Sequence, residues 1–520
     1  MRLLDSAQQK TGGLPERSPK KNLPCEMERD QILLASSWAM TLTASTLITS
    51  AGPLAAKSAG AGNALAPFTV GAFLFGAALV SGPSDRMFER WGRRGGFYFG
   101  CGVGSAGGLL GAGALEFGGD DVWPAVIAAC FLIGISQGVG QFLRFAASEL
   151  CQAEAERARA VTLCLSGGVV AAFAGPQAAV HSRTVPPLLT VTFSGCFMLV
   201  VFANIINVIL LFFVNFKDVR RYPTTNDDDI LGGGSEISVG ENASKELAEA
   251  LLTAAVDYSE VASESSQDAS SFTTVESDGS RSGGSRRREE VSRQNERILT
   301  ATKRRRTALE ILAQPRCACA VSVASLAHTS MVMLMSCLTL AMDAEGYPFQ
   351  LTCLTLELHF LSMYAPGLLG SSTFIRRAGP YLASVAGLAF YAVSATILAS
   401  GRRLPDFIVG MALCGIAWNL CFSSGTVLLT TCYTSDESLM VQAVNDLIIF
   451  GLAGSGSFAS GYIYAALGWE NLIYIVAAIM ALFAIILGYA LLINRKQQQQ
   501  QQRKTKPSLV VQNDDTTGEP

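Results

Sequence analysis

Apolar residues along this chain come in long runs, and the polar residues between them are few and clustered. A bilayer core of about 30 Å takes roughly 20 apolar helical residues to cross. Runs of that length fall at about 31–55, 64–82, 97–117, 123–144, 160–180 and 188–214. Six more fall at about 316–342, 350–371, 380–399, 405–432, 439–465 and 469–493. The pattern predicts an all-α membrane protein with twelve transmembrane helices, arranged as two six-helix bundles. The third and fifth runs are rich in Gly and Ala, which suits close helix–helix packing in a membrane.

The stretch between the two sets has another character. Residues 217–310 are rich in Ser, Glu, Asp and Gly, with acids first (Asp227, Asp228, Asp229) and bases later (Arg286, Arg287, Arg288, then Lys303 to Arg306). Such sequence buries too little apolar surface to fold. The expected organisation is therefore a disordered N-tail over 1–30, a bundle over 31–216, a disordered linker over 217–310, a second bundle over 311–495 and a disordered C-tail over 496–520. A patch at 243–256 is compatible with an amphipathic helix, although disorder is the simpler reading. The basic end of the linker suits anionic lipid headgroups. The tail opens on a glutamine run, Gln497 to Gln502, to which no function is assigned.

Composition agrees with a membrane protein. The 520 residues are 50% hydrophobic and 16% charged, against about 25% charged in soluble domains. Mean hydropathy is +0.34. A net charge of −3 gives no reason to expect a nucleic-acid partner. Most of the thirteen cysteines lie inside apolar runs, where Cys behaves as a small hydrophobe. The first thirty residues lack an apolar core, so no cleavable signal peptide is expected. No Walker pattern, metal-ligand spacing or Ser-His-Asp arrangement stands out, so no cofactor, no metal and no enzymatic activity are expected.

Lys and Arg in the short loops set orientation. Arg86, Arg90, Arg93 and Arg94 follow span 2, Arg157 and Arg159 follow span 4, Arg376 and Arg377 follow span 8, and Arg495-Lys496 follow span 12. With twelve spans all of these share one side, which places both termini and the linker in the cytoplasm. Arg402-Arg403 is the pair that argues against it. The halves also echo one another: Arg90-Trp91-Gly92 after span 2 matches Arg377-Ala378-Gly379 after span 8, and Glu156 before span 5 matches Glu437 before span 11. Together these suggest a parallel repeat about the membrane normal.

Glu89-Arg90-Trp91-Gly92-Arg93-Arg94 resembles the signature of the major facilitator superfamily (MFS), an acid followed by Arg-x-Gly-Arg-Arg between spans 2 and 3. Glu stands where Asp is usual, and Asp85 stands where the family has a glycine. Leu358 to Pro366, Gly415-Ile416-Ala417-Trp418-Asn419, Gly425 to Thr430 and Gln442 to Asp446 are similar to one group of bacterial permeases of undefined substrate in that superfamily. So are Arg144-Phe145-Ala146-Ala147, Gly167 to Val170 and Gly175-Pro176. The resemblance covers the membrane part of both halves and implies the MFS fold and transport. Two family features differ. Gly134-Ile135-Ser136-Gln137-Gly138 keeps the Gln-Gly of a proton-coupling pattern without its Arg, and Gln177-Ala178-Ala179 replaces the glycines of an antiporter pattern.

The fold implied by the resemblance lines its cavity with spans 1, 4, 7 and 10. That makes Gln137, Gln141, Trp418 and Asn419, mid-span in helices 4 and 10, the substrate-cavity candidates. The same amides serve equally as interhelical hydrogen-bond glue. Glu357 and His359 are the proton-coupling candidates, because an intramembrane ionisable group needs a reason to be there. Two residues apart on a helix, they face different directions. A helix-anchoring role is the alternative for both, and His328 has a weaker case. Near the cytoplasmic face a latch is expected, with Glu89, Arg90, Arg93 and Arg94 paired against Glu149 and Asp446, Arg144 close by, and Gly92 permitting the turn. The leading function is a secondary transporter moving a small solute by alternating access, coupled to protons and working as a monomer in the lipid bilayer. The alternatives are a passive facilitator and a non-transporting receptor or scaffold.

Overall fold

A computed structural model describes residues 24–150, 154–184, 189–216, 306–434 and 437–505. The linker expectation therefore lies almost wholly outside the described residues, as do the patch at 243–256, most of the N-tail and the end of the C-tail. Every regular element among the described residues is helical. In chain order they are α1 (Pro24–Ser58), α2 (Phe68–Ser81), α3 (Ser84–Phe117), α4 (Trp123–Gly140), α5 (Leu143–Glu149), α6 (Glu154–His181), α7 (Ser194–Phe213), α8 (Ala308–Leu312), α9 (Pro315–Ala344), α10 (Phe349–Leu369), α11 (Ser371–Ala378), α12 (Pro380–Ser400), α13 (Leu404–Thr430) and α14 (Ser438–Thr505).

The apolar runs fall on these helices, the fourth shared between α4 and α5 and the last two both on α14. Without water, backbone groups must pair within their own segment, and helix satisfies that locally. Among the described residues, seven helical segments are long and apolar enough to cross a membrane by length and composition, with Phe68–Val80 a shorter apolar helix. Helices α3, α6 and α10 are not among them. The first two are diluted by Gly and Ala, and α10 by Thr352, Thr355, Glu357, His359 and Ser362.

Several boundaries differ from expectation, each for a local reason. Helix α1 begins at Pro24, inside the expected N-tail; Pro suits the first helical position, and Glu26 to Glu28 are good helix formers. Helix α14 carries the glutamine run to Thr505, because Gln sustains helix. The fourth run divides at Gln141 and Phe142, where Phe142 N–H donates to the Val139 carbonyl at 3.2 Å in a tighter turn. Helix α7 starts only at Ser194, because the Glu116 carboxylate captures Thr190 N–H at 2.9 Å and Val191 N–H at 3.1 Å.

The repeat is visible in the backbone. Gly92, between the two limbs of α3, has φ 71° and ψ 170°. Gly379, between α11 and α12, has φ 83° and ψ 154°. Both lie in a region open essentially to Gly alone, and both are the glycine of the matched Arg-x-Gly of the two halves. Gly468 breaks α14 in the same way, with φ 83° and ψ 179°. Gly92→Val and Gly379→Val are each expected to cost about 1–3 kcal/mol and to lower the thermal transition of the purified protein. Gly102→Ala, facing open space on α3, is the control.

Within the first half, α1 packs on α6, and α4 packs on both α2 and α3. Within the second, α9 packs on α14 and α13, and α13 on α12 and α10. The halves meet along α2 against α14 and along α6 against α10.

Candidate functional site

Contacts between the halves concentrate at the end of the bundle that bears the 59–67, 182–193 and 345–348 connections, here termed the distal end. Lys57 at the end of α1 pairs with Asp343 near the end of α9 at 2.8 Å. The Arg183 guanidinium lies 4.9 Å from the ring centres of both Phe193 and Phe349, from opposite halves. Phe458 of α14 packs on Phe68 and Phe75 of α2, at 4.2 and 5.3 Å between centroids. The Ser457 hydroxyl donates to the Pro67 carbonyl at 2.8 Å. Deeper in, the Gln177 amide of α6 donates to Glu357 of α10 at 2.6 Å.

Midway along the bundle, the second half gathers an aromatic cluster. Trp418 of α13 stacks on Phe422 one turn away, with centroids 4.7 Å apart and planes at 21°. Its indole N–H donates to His328 Nδ1 of α9 at 2.8 Å. The His328 ring lies 5.8 Å from each of Trp418, Phe422 and Phe450 of α14. Tyr364 of α10 stands edge-on to Trp418 at 6.5 Å. It also reaches the other half, where its ring would touch a Cβ placed on Gly168 of α6. The cluster thus combines packed aromatic rings, one polar dyad and a contact on the inter-half boundary.

The cavity candidates divide. Trp418 enters the cluster. Asn419 is buried beside it and turns to α10, where its amide donates to the Met363 carbonyl at 2.8 Å while its Oδ1 is buried without a hydrogen bond. Gln137 is buried in α4, and Gln141 is half-buried at the α4–α5 break. Glu357 and His359 do face different neighbours: Glu357 meets Gln177 across the boundary, while His359 Nδ1 pairs with the Met411 carbonyl of α13 at 2.8 Å. Phe422 and Phe450 were not singled out by the sequence, and His328 only as a weaker coupling candidate. Their signal is weak there, because aromatic residues in a span read equally well as packing.

At the opposite end, which bears the basic loops, the latch residues take separate places. Glu89 and Arg90 are exposed on α3. Arg93 lies over the Phe88 ring at 4.9 Å. Arg94 donates to the Val214 carbonyl at 2.6 Å, which ties the loop to the end of α7 in its own half. Among the described residues, Arg144 of α5 and Asp446 of α14 are near enough across the halves to act on each other electrostatically. The side chain of Glu149 lies outside the described residues. Beyond the spans, Arg306 forks onto Glu437 with bonds of 2.8 and 2.6 Å. That guanidinium, with the Thr434 N–H, holds the Glu437 carboxyl down at about 2.

Comparison with known proteins gives the same architecture. Residues 187–476 match the sequence model of the MFS_1 like family. The riboflavin transporter RfnT of Brucella anthropi is 24% identical over 463 residues, covering 87% of this chain and 94% of that protein. Among solved structures, the xylose transporter XylE of E. coli, in a partially occluded inward-open conformation, superposes with a TM-score of 0.58 at 12% identity, covering 89% of this chain and 97% of that one. The human organic anion transporter MFSD10 superposes with a TM-score of 0.53 at 12% identity, covering 89% and 99%.

Proposed function

Because the chain belongs to the MFS_1 like family, a multi-pass membrane transporter, we propose that it carries a planar heteroaromatic solute of the riboflavin kind by proton-coupled alternating access. The observation that carries this reading is the cluster of Trp418, Phe422, Phe450 and Tyr364 around His328, midway along α9 and α13. A flat conjugated ring gains from aromatic faces of this kind, and the Brucella anthropi relative is named for a solute of that shape. Gln137 and Gln141 are assigned to the first-half wall of the same path.

The distal contacts support the access cycle. Lys57–Asp343, Arg183–Phe349 and Phe458 against α2 close one end, and solute release then proceeds from the other. With the basic loops cytoplasmic, the closed end faces outward. At the cytoplasmic end the Arg144–Asp446 interaction, made in this same state, is the core of a latch that must part for release, with Glu89, Arg90, Arg93 and Arg94 bordering it. Glu357 is the better coupling candidate of the two, since it bridges the halves through Gln177. Its ionised form accepts the stronger, charge-assisted bond, so a proton there loosens the distal seal. His359, held inside the second half by Met411, serves to fix α10 against α13.

Riboflavin accumulation in cells expressing the protein tests this. An inward proton gradient should drive accumulation above the external concentration, and a protonophore should return it to equilibrium. Flux that ignores the gradient would make the protein a facilitator. Absence of riboflavin flux in cells with the protein in the membrane would remove the substrate assignment.

A further inference from the structure

His328 and Trp418 form more than an aromatic contact. An indole N–H can only donate a hydrogen bond, so the 2.8 Å contact makes His328 Nδ1 an acceptor. The proton of the neutral imidazole must then sit on Nε2. That nitrogen is buried and has no hydrogen-bond partner. A buried N–H donor without an acceptor is costly and calls for an explanation. Three rings, of Trp418, Phe422 and Phe450, lie 5.8 Å from the imidazole, and none of them carries a strong acceptor. His359 is the instructive contrast. Its Nδ1 faces a carbonyl, which can only accept, so in that ring Nδ1 carries the proton and donates it. One buried histidine spends its donor on the fold, and the other keeps its donor in reserve.

The geometry points to His328 Nε2–H as the specificity-determining donor for the solute, bonding a ring nitrogen or carbonyl oxygen of a planar heteroaromatic ligand seated among Trp418, Phe422 and Phe450. Trp418 acts as wall and as positioning residue, because its indole fixes the tautomer that leaves Nε2–H available. This rests on the transport of a planar solute proposed above, and it adds the atom that distinguishes a heteroaromatic ring from an all-carbon one. A site built around a hydrogen bond rejects analogues that lack the matching group more sharply than an apolar wall does.

The chain has three histidines, so ¹⁵N-histidine NMR of the purified protein in nanodiscs is tractable. In the ligand-free protein His328 is expected as the Nε2–H tautomer. Trp418→Phe, which keeps a ring and removes the indole donor, should mix the tautomers. Riboflavin should move the His328 Nε2–H resonance. In uptake assays His328→Phe should raise the riboflavin KM about tenfold. His328→Gln, whose amide reaches the Nε2 position, should recover part of that loss, whereas the shorter His328→Asn should not. A His328 found as the Nδ1–H tautomer overturns the inference, whatever the substrate. An unchanged KM in His328→Phe, with riboflavin still carried, overturns it and leaves the transport reading intact. No riboflavin flux in the unmodified protein overturns both.

Discussion

Gly134→Val and Gly76→Val are each expected to abolish accumulation of folded protein in the membrane. Helices α2 and α4 cross with their backbones in contact. A Cβ on Gly134 would run into the Phe73 carbonyl, and one on Gly76 into the Phe131 carbonyl. Overpacking costs about 1–3 kcal/mol where side chains can shift. Here the obstacle is main chain whose hydrogen bonds hold a helix together, so relief requires the helices to part. Gly102→Val and Gly113→Val on α3 meet nothing within 4 Å and serve as controls. Size-exclusion profiles of the solubilised variants read the outcome. Equal monodisperse yields for all four would contradict the packing argument.

The second large effect is on solute binding. Trp418→Ala removes the face that stacks on Phe422 and the donor that orients His328. Stacking of a planar base on an aromatic side chain contributes about 1–3 kcal/mol, so the riboflavin KM should rise roughly 5- to 150-fold. Trp418→Phe should fall between that variant and the parent. Folded yield, measured alongside, separates a binding loss from a stability loss. A KM at the parent value in Trp418→Ala would remove the cluster from the transport path.

Much of the fold is legible in the sequence because a bilayer imposes a simple rule of length and apolarity. The apolar runs fall on helical stretches, and the two Arg-x-Gly loops foretell two glycines with nearly the same unusual backbone. The details that escape are set by tertiary contacts. Nothing in residues 188–193 shows that Glu116, over seventy positions earlier, holds Thr190 and Val191 out of a helix. The site is legible by halves. Trp418 is visible through its motif and its mid-span place. His328 is visible only as a weaker coupling candidate, since its place in the cluster comes from an indole ninety residues away on another helix. Glu357 and His359 are correctly separated onto different faces by the helical repeat, but which of them meets the other half depends on how α10 turns against α6. Arg94 shows the limit of charge counting. Its loop reads as a cross-half clasp, yet a free carbonyl at the end of α7 is nearer and needs no second charge.

These contacts fit one cycle. The distal end is sealed by ionic, aromatic and hydroxyl contacts of modest individual strength, which suits a seal that must open. Exposed ion pairs such as Lys57–Asp343 contribute about 0–1 kcal/mol, and Ser457 and Gln177 add single hydrogen bonds. The backbone crossing at Gly76 and Gly134 lies wholly inside the first half and has no such freedom. In the proposed access cycle the halves stay rigid while the boundary between them exchanges contacts.

The most direct test is uptake of labelled riboflavin into liposomes reconstituted with the purified protein. The account predicts saturable uptake above protein-free liposomes, competed by the bare tricyclic ring lumichrome and not by the sugar alcohol ribitol, because the cluster reads the planar ring. Uptake no greater than in empty liposomes, from protein that still shows a cooperative thermal transition, would contradict it.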